Sequence, residues 1–315
     1  MPHDSLDDHP DLQDWSRTER RAVAQAERSS FLRRHRAKVL TLGLIVVVAL
    51  AAVVYNAVKP RDSSPGPALV QVPDTTADPN KGPAVDLTLP FAGTPAAEWP
   101  DGAAGIVAPA PVAVGEFTAE EVARAYAKVR QVLITSRLDR EVIEGHDYER
   151  FLTLLAPKAQ ADLRPGFADD LGTSYSYATR VADDYPLLAV EPKVRGSMSA
   201  KLGKDGALVV HTNYVFAYAF DALSPEELQG AMDIVAVDRW ETDYAVTDER
   251  WPADNQGIWL ATVRGYGYSI ACTAYKEGSL APAYSERVDN AADPEAQDRY
   301  FDPTKPLLTD SSCPA

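Results

Sequence analysis

Apolar residues along the chain fall into three patterns: one run without any charge, stretches at helical spacing, and stretches at every second position. The uncharged run is Val39 to Val58, VLTLGLIVVVALAAVVYNAV. A helix rising about 1.5 Å per residue needs about 20 residues to cross a hydrocarbon core of roughly 30 Å, so this run is expected to form a single transmembrane helix. A cleavable signal peptide ending near Ala49-Leu50-Ala51 is the rival reading. Its apolar core and basic head would both be long for that purpose. Arg17, Arg20, Arg21, Arg28, Arg33, Arg34, Arg36 and Lys38 precede the run, and only Lys59 and Arg61 follow closely. Basic flanks stay cytoplasmic, so residues 1–38 are expected inside and everything after Lys59 outside.

From Lys59 to about Gly115 Pro, Ala and Gly dominate. Residues 59–84 read as a flexible linker. Residues 85–115 carry Leu87, Leu89, Phe91, Trp99, Ile106 and Val107, too many large apolar groups to leave in water, and are expected to lie extended across a folded domain.

Helical spacing begins after Thr118, which with Glu121 forms a capping box preceded by Phe117 in the staple position. Val122, Tyr126, Val129, Val132 and Leu133 then share one face. A second helix is expected from Asp147 to Leu163, broken or kinked at Pro157. Phe167 to Asp184 reads either as a loop or as a short third helix near Ser176 to Val181.

After Pro186 the period changes to alternation. Val190, Val194, Met198 and Leu202 mark a half-buried strand, and Lys204-Asp205-Gly206 is a hairpin signal. The return strand, Ala207 to Phe220, places Thr212, Tyr214, Phe216, Tyr218 and Phe220 on one face, expected to be core. A helical turn over Pro225 to Ala231 and strands over Ile234 to Val246 and Gly257 to Ala274 complete the pattern. The expected fold is α+β: a transmembrane helix, then a cone-like domain of two to three helices packed on a curved four-stranded antiparallel sheet over residues 116–281, with a tail over 282–315.

The chain carries 46 acidic against 31 basic residues, a formal charge of −15. That balance outside the basic head does not suit phosphate backbones, so no nucleic-acid partner is expected. Cys272 and Cys313 are the two cysteines. In an extracytoplasmic compartment they are expected to pair and tie down the tail, with free thiols or a metal pair as the alternatives.

The strings of common catalytic classes are absent: no phosphate-binding glycine loop, HExxH, GxSxG elbow or calcium loop. Candidate acid–base residues on strands are His211, Asp238, Asp243, Tyr244, Tyr266 and Tyr268, of which His211 and Asp238 are the catalytic candidates. Against them stand plainer readings. His211 reads as a satisfied or surface histidine, and Asp238-Arg239-Trp240-Glu241 as cross-strand ion pairing on a solvated face. His146 reads as a helix-start loop residue, Asp169-Asp170 and Asp183-Asp184 as loop charges or caps, and Asp289, Asp293 and Glu295 as acids without fixed geometry. Neither a cofactor nor a metal site is expected. Arg264-Gly265-Tyr266-Gly267-Tyr268 stands out because glycines inside a strand mark a bend or a close approach.

The order of helices followed by a bent antiparallel meander resembles the nuclear transport factor 2-like cone fold, which implies a pocket without implying an activity. More specific strings are PFAGTPAAEWPDGAAGIV (Pro90 to Val107), VGEFTAEEVARAYAKVRQVLITSRLDREVI (Val114 to Ile143), HTNYVFAYAF (His211 to Phe220) and YFDPTKP (Tyr300 to Pro306). Together they resemble a family of actinobacterial, streptomycete-like single-pass membrane proteins without an assigned activity. The resemblance implies an extracytoplasmic binding or scaffold module of the cell envelope, with the lipid bilayer, an envelope protein, a wall polymer or a small apolar ligand as partners. A cofactor-free cone-pocket enzyme, or an assembly subunit of a membrane secretion or conjugation machine, is the alternative.

Overall fold

The Thr118 side chain accepts from the Glu121 backbone N–H at 3.3 Å, and the Glu121 carboxylate accepts in return from the Thr118 N–H at 2.7 Å. This reciprocal cap starts helix α1, Ala119–Arg137, which buries Val122, Tyr126, Val129, Val132 and Leu133. The computed structural model describes residues 85–286, 294–307 and 313. All belong to the second of two units of the chain, Thr76–Ala315. The basic head, the linker, Asp289 and Asp293 lie outside the described residues.

The transmembrane part of the expected fold is corrected. Among the described residues no helix is long and apolar enough to cross a membrane. The Val39 to Val58 run on which the expectation rested lies outside them.

Among the described residues, the helices after α1 are all short. Arg140–Ile143 and Glu149–Leu152 are single turns, and Pro157–Leu163 begins at Pro157. The break falls there because a proline ring suits the first turn of a helix and clashes in its interior. Gly166–Asp169 and Leu171–Tyr175 follow, the latter capped by Asp170, whose carboxylate accepts from the Thr173 N–H at 3.0 Å.

Four antiparallel strands make one sheet in sequential order: β1 (Lys193–Leu202), β2 (Leu208–Ala219), β3 (Val235–Thr247) and β4 (Gly257–Tyr268). The fold is therefore α+β. The β1–β2 turn is made at Gly206, whose φ of +81° a residue with a Cβ adopts only at a cost. Beyond Tyr268 the chain leaves the sheet, and Cys272–Lys276 is helical where strand was expected. Ser269 at φ +55° turns it away.

Both faces of the sheet are covered. The inner face sends Val194, Met198, Tyr214, Phe216, Tyr218, Trp240 and Tyr244 into one core with α1 and the short helices. On the outer face Val215, Ala217, Val235, Val237 and Tyr268 lie under Val85, Phe91 and Trp99 from one end of the unit and Phe301 from the other. Residues 86–99 reach that face through successive turns rather than as an extended strand. The helix Pro294–Phe301 brings Phe301 edge-on to Trp99, with ring centroids 5.7 Å apart. A Cys272–Cys313 disulfide bridges 41 residues and holds the chain beyond this helix to the edge of the domain.

Candidate functional site

On β3 the alternation of side chains places Asp238 and Trp240 on the inner face and Arg239 and Glu241 on the outer one. The expectation of a solvated ion-pair face does not hold. Asp238 is 0% exposed and Arg239 1%.

Asp238 sits among aromatic rings. The Tyr175 hydroxyl donates to its Oδ2 at 2.5 Å, and Tyr175 packs edge-on against Trp240 and Tyr275, at centroid distances of 5.7 and 5.5 Å. Arg137, the last residue of α1, is 2% exposed and lies 4.5 Å from the Trp240 ring centroid. Its guanidinium donates to the carbonyls of Tyr175 at 3.3 Å and Ser176 at 2.5 Å, and to Thr179 Oγ1 at 3.2 Å. The Tyr218 hydroxyl donates to the Arg137 carbonyl at 3.0 Å. Together these bonds fasten the Leu171–Thr179 segment over the carboxylate.

Burial pushes the Asp238 carboxyl up to about 6, against the Tyr175 hydrogen bond, the Arg137 charge and the neighbouring Trp240 indole, which all favour the ionised form. Burial and the adjacent carboxylate push the Tyr175 phenol far above its ordinary value. Asp238 Oδ1, Arg137 Nε and Trp240 Nε1 are buried without a hydrogen-bond partner of ordinary geometry. These three atoms are thus incompletely satisfied within one contact cluster, chemistry suited to water or to a small polar group.

His211 belongs to a different place. It is on the outer face, opposite Asp243 in the β2–β3 register, with Nδ1 2.8 Å from Asp243 Oδ1. Lys201 Nζ donates to both Asp243 oxygens, at 3.1 and 2.9 Å. Burial alone would raise the Asp243 carboxyl, but the bonds from Lys201 and His211 outweigh it and hold it below its usual range. His211 and Asp238 are thus on opposite faces of the sheet and cannot act on one substrate. Tyr244 lies in the inner core, where burial pushes its phenol up to about 12. On the outer face Tyr268 stacks on Tyr300 with centroids 3.9 Å apart, and Tyr266 meets Tyr300 edge-on at 5.6 Å. His146, at φ +57°, lies within 3.0 Å of the Val181 carbonyl through Nε2. Among the described residues no group of three or more His, Cys, Asp or Glu side chains is arranged to hold a metal ion.

Sequence reasoning missed Arg137, Tyr175 and Tyr218 as the surroundings of Asp238. One signal was present: Val129, Leu133 and Arg137 recur every fourth residue, so a charged group continues the apolar stripe of α1. Compared with protein-family models, with characterised proteins and with solved structures, the chain matches none.

Proposed function

We propose that this chain is an extracytoplasmic binding or scaffold module of the cell envelope that acts through its surface, with an envelope protein or a wall polymer as partner. The observation that carries this reading is the enclosure of Asp238. The acid best suited to proton transfer is 0% exposed, sealed by Tyr175 and the segment that Arg137 holds down. His211, the other candidate, is spent on Asp243 and shares no site with it. The disulfide supports an oxidising compartment, where such bonds persist. A helix preceding a four-strand meander is the element order of the cone fold, which remains part of the proposal.

The test is cosedimentation of the full chain with purified wall polymer, together with photo-crosslinking of whole cells from probes at Leu223 and Val112, both exposed. Saturable retention on the polymer, or one recurrent crosslinked envelope protein, is expected, unchanged in Asp238→Asn and His211→Gln. Neither retention nor a recurrent adduct would remove the reading.

A second reading, a cofactor-free proton-transfer enzyme with Asp238 as base, draws on the raised carboxyl and its unpartnered Oδ1. It requires the Tyr175 segment to open. Tyr175→Ala should then admit a small apolar probe such as an indole or a phenol, detected by quenching of Trp240 fluorescence. A variant that stays folded and excludes such probes would exclude this reading.

A further inference from the structure

The cover over Asp238 is attached differently along its length. In its first part the N–H groups of Ser174, Ser176, Tyr177 and Ala178 donate to the carbonyls of Asp170, Thr173 and Ser174, all within the segment or its cap. Leu171–Tyr175 is a helix of five residues, too short to persist alone in water. Helix α1 and strand β3 hold this part through side chains: the Arg137 guanidinium on the Tyr175 and Ser176 carbonyls, and Asp238 on the Tyr175 hydroxyl. From Thr179 onward the attachment passes to the backbone. The Thr179 N–H donates to the Ser136 carbonyl at 3.0 Å and the Val181 N–H to the Ile143 carbonyl at 2.7 Å. Leu280 donates to the Arg180 carbonyl at 2.6 Å and accepts from the Ala182 N–H at 2.9 Å. One end is thus sewn down, and the other is held by two side chains that converge on Tyr175.

One of those two side chains is an acid with no cation bonded to it. Arg137 spends Nη1 and Nη2 on the segment's carbonyls and on Thr179 Oγ1, and its Nε has no acceptor of ordinary geometry. Asp238 Oδ1 lacks such a partner as well, and the residue is 0% exposed. A neutral carboxyl fits these surroundings, whereas an ionised one lacks both a bonded cation and water. The groups facing Asp238 are Arg137 from α1, Tyr175 from the cover, Tyr218 from β2, Trp240 from its own strand and Tyr275 from the helix after β4. Burial pushes all three phenols upward, away from neutral pH, which leaves the carboxyl to titrate. At the sewn end His146 and Arg180 each approach Asp183 at 3.5 Å. At the other end Thr173 holds the Asp170 carboxyl below its usual range.

We propose that Leu171–Ala178 is a proton-controlled strap, closed over Asp238 while the carboxyl keeps its proton and swinging out about Thr179 when that proton passes to water, so that the acid, Trp240 and Tyr275 meet solvent. Lifting the strap hydrates the carboxylate and breaks no strand pairing. The direction follows from burial, which outweighs the contacts that favour the ionised form: the closed acid titrates at about 6 and a hydrated one at the ordinary 3.8. The closed form binds the proton more tightly, so opening increases as pH rises between these values and levels off above about 6. Between pH 5 and pH 8 the two values give about a tenfold rise in the opening constant. The strap belongs to the inner side of the sheet, and its opening does not rest on the surface reading above.

The test is hydrogen exchange of the full chain at pH 5 and pH 8, read by mass spectrometry, with each rate divided by that of an unstructured peptide of the same sequence. Peptides covering Thr173 to Thr179 are expected to exchange faster than those of β2 and β3 at both pH values, and their corrected rate to rise about tenfold from the lower to the higher. Asp238→Asn should abolish the rise. Tyr175→Phe, which keeps the ring and drops the bond to the acid, should raise the corrected rate at both pH values and keep the pH dependence. Equal corrected rates at the two pH values in the wild type would overturn the proposal. So would a rise that survives in Asp238→Asn, which would belong to His146 and Asp183 at the sewn end. Strap peptides that exchange no faster than the sheet would mean that the domain opens as a whole, and would overturn it as well.

Discussion

Asp238 and Arg239 are consecutive on β3, point to opposite faces of the sheet, and are both enclosed, at 0% and 1% exposure. Opposite charges one residue apart would be expected to meet water or each other. Here each has its own buried surroundings: Tyr175 and Trp240 for the acid, the Tyr300–Lys305 carbonyls and Glu241 for the base. The asymmetry between them sets the first two predictions, because the acid is short of partners and the base is not.

Asp238 should make the protein less stable as pH rises. Its folded carboxyl titrates at about 6, above the ordinary 3.8, so between these values the native state binds more protons than the unfolded one. Stability therefore falls with rising pH across that window and levels off above about 6, by an amount on the order of 3 kcal/mol. Urea unfolding midpoints of the wild type and Asp238→Asn should separate as pH rises from 4 to 7, with the amide variant the more stable at neutral pH. Parallel curves would show that the carboxyl is not held in its neutral form.

Arg239→Lys keeps the charge and loses the fork that spans several carbonyls. Removing these contacts while leaving Glu241 enclosed should cost about 2 to 4 kcal/mol. The loss should fall first on the tail. Limited proteolysis should cut near Lys305 at least as fast as in the reduced wild type, while α1 stays protected. Glu241→Gln, which leaves the fork intact, should cost less.

The regular parts of the fold were legible because binary patterning has one solution in them. Tyr214, Phe216, Tyr218 and Phe220 alternate strictly and fill the core, and the Thr118–Glu121 cap starts α1 where the helical period begins. Val190 and Leu202, read as buried ends of β1, are 37% and 52% exposed, since spacing alone does not say where a strand leaves the covered area. The acid site was half legible. Asp238 and Trp240 follow from alternation, but Tyr175 ends a short helix and Thr179 lies in the irregular chain after it, and their packing depends on Arg137 some 40 residues earlier, which no local pattern encodes. Arg239 read as solvated because its cover arrives from 300–305, and an outer face polar enough to look wet is dried by chain that is remote in sequence.

The disulfide should stabilise chiefly by restraining the unfolded chain. A loop of 41 residues corresponds to about 4 kcal/mol in the chain-entropy picture, an upper figure because native strain and residual structure subtract from it. Cys272→Ser with Cys313→Ser should lower stability by about 2 to 4 kcal/mol. Hydrogen exchange should quicken in Tyr300 to Lys305 well before the β2 and β3 amides change. A uniform rise across the sheet would mean that the tail and the sheet open as one unit.

The glycines of β1 and β4 have a packing reason that sets the last prediction. Register aligns Gly196, Tyr214, Trp240 and Gly265 in one row across the sheet, all on the inner face. The two rings lie over the glycines at either end. A Cβ at Gly265 would fall 2.4 Å from Trp240 Cε3 and 2.4 Å from the Arg239 carbonyl oxygen, and one at Gly196 would fall 2.4 Å from Tyr214 Cδ1. The indole cannot yield freely, since Tyr175 packs against one side of it and Arg137 lies over its ring. The ordinary gain from replacing a strand glycine by alanine should therefore reverse, with Gly265→Ala costing about 1 to 3 kcal/mol as an overpacked core does. Trp240 also borders the Asp238 carboxyl, so the same change should shift the pH midpoint of the stability curve. Gly203→Ala, at the β1–β2 turn and away from both rings, supplies the comparison. It should lower the urea midpoint and leave the titration of Asp238 where it was, whereas a Gly265→Ala protein with both quantities unchanged would show that the ring does not need the space.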